Sequence, residues 1–119
     1  MRRKKVGKFT KLFDEVTAVL PARSGDILRR RFGMVPGQAR TLDGVGKHYG
    51  LTRERIRQII AAAIKHVKKN LTPAMKRKIY QSLENKLKKS GHIMPEEDLI
   101  KSFAGDDPVE AGAIRFFIE

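Results

Sequence analysis

Residues 53–58 read Arg-Glu-Arg-Ile-Arg-Gln and place three guanidinium groups, one carboxylate and one side-chain amide within six positions. These groups hydrogen-bond well. A glutamate and a glutamine can accept from or donate to base edges, while arginines reach phosphate on either side. That chemistry requires one element to hold the two sets apart.

The element is a helix beginning at Arg53. At about 100° per residue, Ile56, Ile59, Ile60, Ala63, Ile64 and Val67 gather on one narrow face, which is the core side. Glu54, Gln58, Ala61 and Lys65 lie opposite, with Arg55 and Arg57 flanking them. A helix entering a major groove needs this division of small and polar groups at the centre and cations at the edges. Ala61 and Ala62 leave room for close approach, whereas Arg53 sits nearer the core side on an ideal wheel.

Thr52 is placed to cap this helix, which runs to about Lys69, and Thr41 to cap a preceding helix over 42–49. The three-residue break Gly50-Leu51-Thr52 between them forces a sharp crossing. Gly46 is small where the two helices meet, and Val45, Leu51, Ile56 and Ile59 supply the apolar contacts. The spacing is that of a helix-turn-helix.

Upstream, Phe9, Leu12, Phe13, Val16, Val19 and Leu20 predict a helix over 9–20 that stops at Pro21. Ile27, Leu28 and Phe32 predict a second over 22–33, with Gly33 beyond its end, and 34–40 reads as an exposed loop. Downstream, Thr72-Pro73 opens a basic helix over 73–90 carrying Met75, Ile79, Leu83 and Leu87 and ending at Ser90-Gly91. His92-Ile93-Met94 suits a short strand. A helix then follows over 95–104 with Leu99, Ile100 and Phe103 inward. A last helix from Pro108 has an acidic capping-box analogue in Asp107 and Glu110, with Val109, Ala113, Ile114, Phe117 and Ile118 buried.

Charge divides the chain unevenly. Residues 1–89 hold 24 basic and 6 acidic residues, a net +18, and residues 90–119 hold 2 and 7, a net −5. The first part therefore favours a polyanion and the last avoids one. With 119 residues a large multi-domain enzyme is excluded. The absence of cysteine removes disulfides and thiolate metal sites. His48, His66 and His92 lack ligand partners at metal spacing, and no catalytic triad, carboxylate pair or glycine-rich phosphate loop stands out. No cofactor, small-molecule ligand or enzymatic activity is expected. The basic start lacks an apolar run of signal length, and Ile59 to Ile64 is too short to span a bilayer, so a cytoplasmic, nucleoid-associated protein without membrane contact is expected.

From RRRFGMVPGQAR through TLDGVGKHYG to LTRERIRQII, the chain resembles region 4 of bacterial primary (sigma-70 family) sigma factors over about residues 20–70. The run T-R-E-R-I-R-Q-I is unbroken from Thr52 to Ile59. The resemblance implies recognition of a minus-35 promoter element and RNA polymerase as a partner. It implies base-edge roles for Arg53, Glu54 and Gln58, groove or phosphate contacts from Arg55 and Arg57, and Arg40 and Thr41 near the DNA backbone. Two positions depart from the family pattern: Gly44 stands where an acidic residue is usual, and Ile60 where a glutamate is usual. Nothing resembles the region 2 segment that melts promoters.

The expected fold is all-α, a helix-turn-helix bundle over 1–71 followed by a small helical unit over 72–119 whose order is that of an incomplete winged helix. Arg53, Glu54, Arg57 and Gln58 are the expected base contacts; Arg40, Thr41, Thr52, Arg55 and Lys65 are the expected phosphate contacts. Two readings compete: a nucleoid-type binder indifferent to sequence, and a module that holds polymerase or an anti-sigma protein. The 91–119 segment is expected to bind protein or to cap a small core.

Overall fold

A computed structural model of the chain describes residues 7–89 and 95–118. Among these residues there are seven helices and no strand: α1 Lys8–Thr17, α2 Ala22–Arg31, α3 Leu42–Tyr49, α4 Arg53–Asn70, α5 Pro73–Lys89, α6 Glu96–Ala104 and α7 Pro108–Ile118. The short strand expected at His92-Ile93-Met94 and the helix end at Ser90-Gly91 lie outside the described residues.

Three threonines start helices as their positions predict. The hydroxyl oxygens of Thr41, Thr52 and Thr72 accept the N–H groups of Gly44, Arg55 and Met75 at 3.0, 3.1 and 3.1 Å, opening α3, α4 and α5. Each such cap is worth about 1 kcal/mol. At the other end of α2, Gly33 takes a φ of 78°. Its N–H donates to the Arg30 carbonyl at 3.2 Å, and the N–H of Met34 to Arg29 at 2.7 Å. This paired closure satisfies carbonyls that a helix end leaves open.

The first helix is shorter than its apolar pattern. It ends at Thr17, whose hydroxyl is buried and donates to the Phe13 carbonyl at 2.7 Å. Leu20 precedes Pro21, which disfavours helical backbone at that residue, and the chain turns there. Val19, expected in the core, is consequently 50 % exposed.

One apolar core runs through most of the molecule. Phe9, Phe13 and Val16 of α1 meet Leu28 of α2, Ala63 and Val67 of α4, Ile79 of α5, Ile100 of α6, and Ala113, Ile114 and Phe116 of α7. Phe116 stands edge-on to Phe13 and to Phe32, with centroids 4.9 and 5.4 Å apart. The helical pattern predicts Phe117 in the interior, but Phe116 is the buried ring and Phe117 is partly exposed. In the run Ala-Ile-Arg-Phe-Phe-Ile nearly every position is apolar, so helical spacing alone does not choose between the rings. A second, smaller cluster of Ile27, Val45, Ile56 and Ile59 joins α2, α3 and α4, and Ile60 touches both clusters.

Glu110 corrects the other expectation for α7. It does not close a capping box with Asp107, whose Oδ1 accepts the Val109 N–H at 3.1 Å. Glu110 is buried, with 6 % exposure, and its Oε1 accepts the Thr10 N–H at 2.7 Å and the Thr10 hydroxyl at 3.2 Å. Helix α1 has no acid in its first turn and no side-chain cap at Gly7. A carboxylate from the seventh helix therefore caps the first, where the helix dipole favours negative charge. Gly7 makes room for it, since a Cβ there would meet the Glu110 carboxylate.

Candidate nucleic-acid interface

Helices α3 and α4 are joined through Gly50, whose left-handed backbone, φ 67°, reverses the chain at low strain. The Leu51 N–H returns to the Gly46 carbonyl at 2.8 Å. A Cβ on Gly46 would lie 2.4 Å from the Leu51 carbonyl oxygen and 3.6 Å from Ile56 Cγ1, so the crossing requires glycine. Val45 and Ile56 are fully buried beneath it, which fixes the roll of α4 about its axis.

With Ile56, Ile59, Ala63 and Val67 turned inward, the first two turns of α4 expose Arg53, Glu54, Arg55, Arg57 and Gln58. Ala61, Ala62 and Lys65 continue that exposed surface. All nine residues singled out in the sequence, including Arg40, Thr41 and Thr52, are exposed. The two threonine hydroxyls accept cap hydrogen bonds and keep their own protons available to an acceptor such as phosphate.

The carboxylate of Glu54 is engaged by Arg57 in a two-point pair, Nε to Oε2 at 3.0 Å and Nη2 to Oε1 at 2.6 Å. The Arg57 hydrogen bond holds the Glu54 carboxyl below its ordinary pKa; desolvation opposes this in part, and the Arg57 charge, Gln58 and Arg53 add smaller effects in the downward direction. The Arg57 guanidinium is pushed up by the same contact. Both side chains remain more than half exposed, so the pair is weak and can be reorganised by an incoming partner.

The surroundings include residues that helical spacing does not single out. Arg29 and Arg30 are tied to Asp14 and Asp26 at 3.0 and 2.9 Å, while Arg31 donates to the Arg40 carbonyl at 3.0 Å and so joins the edge of the surface. Arg23, Ser24 and His66 share a cleft of about 380 Å³ with Arg55 and Gln58. Their common location depends on the packing of α2 against α4, which no local pattern encodes. On the opposite edge, Arg31 and Arg40 line a cleft of about 280 Å³ with Glu96, Glu97 and Arg115, the last two 3.8 Å apart. Among the described residues, no group of three or more His, Asp or Glu could hold a metal ion, and no helix is long and apolar enough to cross a membrane.

Comparison with known proteins finds similarity over the same stretch. Residues 18–69 match the family described as Sigma-70, region 4. The chain is 51 % identical over 55 residues to the RNA polymerase sigma factor SigA of Lactococcus lactis subsp. cremoris, covering 46 % of this chain and 15 % of that protein. The SigA of Lactococcus lactis subsp. lactis strain IL1403 is likewise 51 % identical over 55 residues, covering 46 % and 14 %. The SigA of a Bacillus species is 47 % identical over 55 residues, covering 46 % and 15 %. The chain thus spans about a seventh of the length of these curated relatives. The stretch that is similar to Sigma-70, region 4, residues 18–69, has the cap-turn-cap crossing of α3 and α4 at its centre.

Proposed function

We propose that this protein binds double-stranded DNA with sequence preference, reading a minus-35-like promoter element in transcription initiation or its regulation. Arg53, Glu54, Arg57 and Gln58 contact bases; Arg40, Thr41, Thr52, Arg55 and Lys65 contact phosphate. The observation that carries this reading is the exposed face of α4, where a carboxylate and an amide stand among arginines on a helix whose roll is fixed by Val45 and Ile56. RNA polymerase is the proposed protein partner, as the names of the relatives suggest. The protein acts by binding and performs no catalysis, in the cytoplasm at the nucleoid.

We further propose a division of labour at about residue 72. The part before it reads DNA. The part after it steadies the reader through the shared core, and its acidic stretch beyond residue 90 keeps away from phosphate.

The test is a titration of minus-35-containing and shuffled duplexes near physiological salt. A reader binds the first more tightly by at least about tenfold. Equal affinity overturns the reading and favours the sequence-indifferent binder, which the net +18 of residues 1–89 also suits.

A further inference from the structure

Tyr80 is 68 % exposed on α5, one of two large apolar side chains so exposed among the described residues. It edges a cleft of about 380 Å³ whose floor is made by Leu71, Ile79, Leu83 and Phe117. Lys68 from the end of α4 and Lys76 from α5 stand at its margin. The surrounding chain is uniformly cationic: residues 65–80 hold six Lys and Arg and no Asp or Glu. By the rise of an α-helix, Lys68 lies about 22 Å along α4 from Arg53, so the cleft is a separate place from the duplex-reading surface.

We propose that this cleft binds an unpaired base of single-stranded nucleic acid, stacked against Tyr80, with Lys68 and Lys76 on the adjoining phosphates. An exposed aromatic ring beside an apolar floor and lysines is the combination used to bind single strands without reading sequence. Duplex DNA cannot use it, because paired bases offer only their edges. Charge alone would equally suit an acidic amphipathic helix. Such a helix needs anchors spread over several turns, however, and this cleft accommodates one or two planar groups.

The sequence contains no tryptophan, so Tyr80→Trp introduces a single reporter. Its emission is expected to be quenched on titration with a twelve-residue oligothymidine. Tyr80→Ala is expected to weaken oligothymidine binding about tenfold while changing duplex affinity less than about twofold, with an unchanged thermal midpoint confirming the fold. Lys68→Gln with Lys76→Gln should flatten the single-strand salt dependence by about 1.4 in log–log slope, two phosphates at about 0.7 each. Undiminished oligothymidine binding by Tyr80→Ala, or unquenched emission at saturation, overturns the proposal. Quenching by an acidic helical peptide but not by oligothymidine also overturns it and assigns the cleft to a protein partner. Since oligothymidine carries no promoter sequence, the result is independent of whether α4 reads duplex DNA.

Discussion

Glu54 and Arg57 occupy each other before any partner arrives, so the proposed DNA contact through them would exchange one set of hydrogen bonds for another. The exchange is cheap because both groups are exposed. Gln58 acts differently, since its amide supplies directed donors and acceptors without charge. Gln58→Ala should therefore reduce discrimination between the cognate and shuffled duplex by about 1–3 kcal/mol while changing non-specific affinity little. Arg57→Ala should lower affinity for every sequence and reduce the salt slope by about one. It should also raise the Glu54 titration midpoint toward its ordinary value, measurable by carboxyl carbon NMR. The sign follows from the lowered pKa. Whatever the ionised pair contributes is fully present above the ordinary glutamate pKa and is lost as pH falls through the lowered one. Binding should thus lose no Glu54 contribution between neutral pH and mildly acidic pH. The Glu54–Arg57 pair joins two groups that the sequence places apart, one at the centre and one at the edge, whereas exposure of these side chains was legible in helical spacing. Arg23, Arg31 and His66 were not, because only the packing of neighbouring helices brings them to the same surface.

At the level of the elements, the turn between α3 and α4 concentrates the constraints. Gly46→Ala places a methyl carbon against the Leu51 carbonyl and should destabilise the fold by about 1–3 kcal/mol, read as a lowered denaturation midpoint. Thr52→Ala removes the cap of α4 and should cost about 1 kcal/mol, with a larger loss for DNA if its hydroxyl also holds phosphate. Gly44 behaves less simply than helix propensity suggests. A Cβ there would fall 2.4 Å from Ala39 Cβ, so the gain of about 1 kcal/mol expected for alanine is offset by displacement of the loop. Thr41, Thr52, Thr72 and Gly33 could be assigned from sequence because caps and left-handed closures are local devices. The end of α1 could not, since a favourable apolar repeat continues past Thr17 and loses to the turn that Pro21 imposes.

Across the whole molecule, the core that supports α4 is completed by α7. Phe116→Ala should cost about 3–5 kcal/mol and should do so in one transition, with helix content and DNA binding lost together on heating. Loss of α6 and α7 structure at a temperature where α4 still binds DNA would contradict that coupling. The sequence announced the change of charge near residue 90 clearly, but not that the acidic start of α6 would stand beside Arg31 and Arg40. Composition describes how much charge each part carries, whereas its placement is decided by tertiary contact.

The carboxylate that completes α1 lies 100 residues further along the chain. On a ribosome working at about 5–20 residues per second, the first helix then waits several seconds for its partner after its own residues have emerged. During that interval its opening amides face water, and the aromatic side of α1 lacks its α7 neighbours. The nascent protein thus completes its first helix only once Glu110 has been made, and a ribosome paused before that residue would hold an unfinished, chaperone-accessible surface.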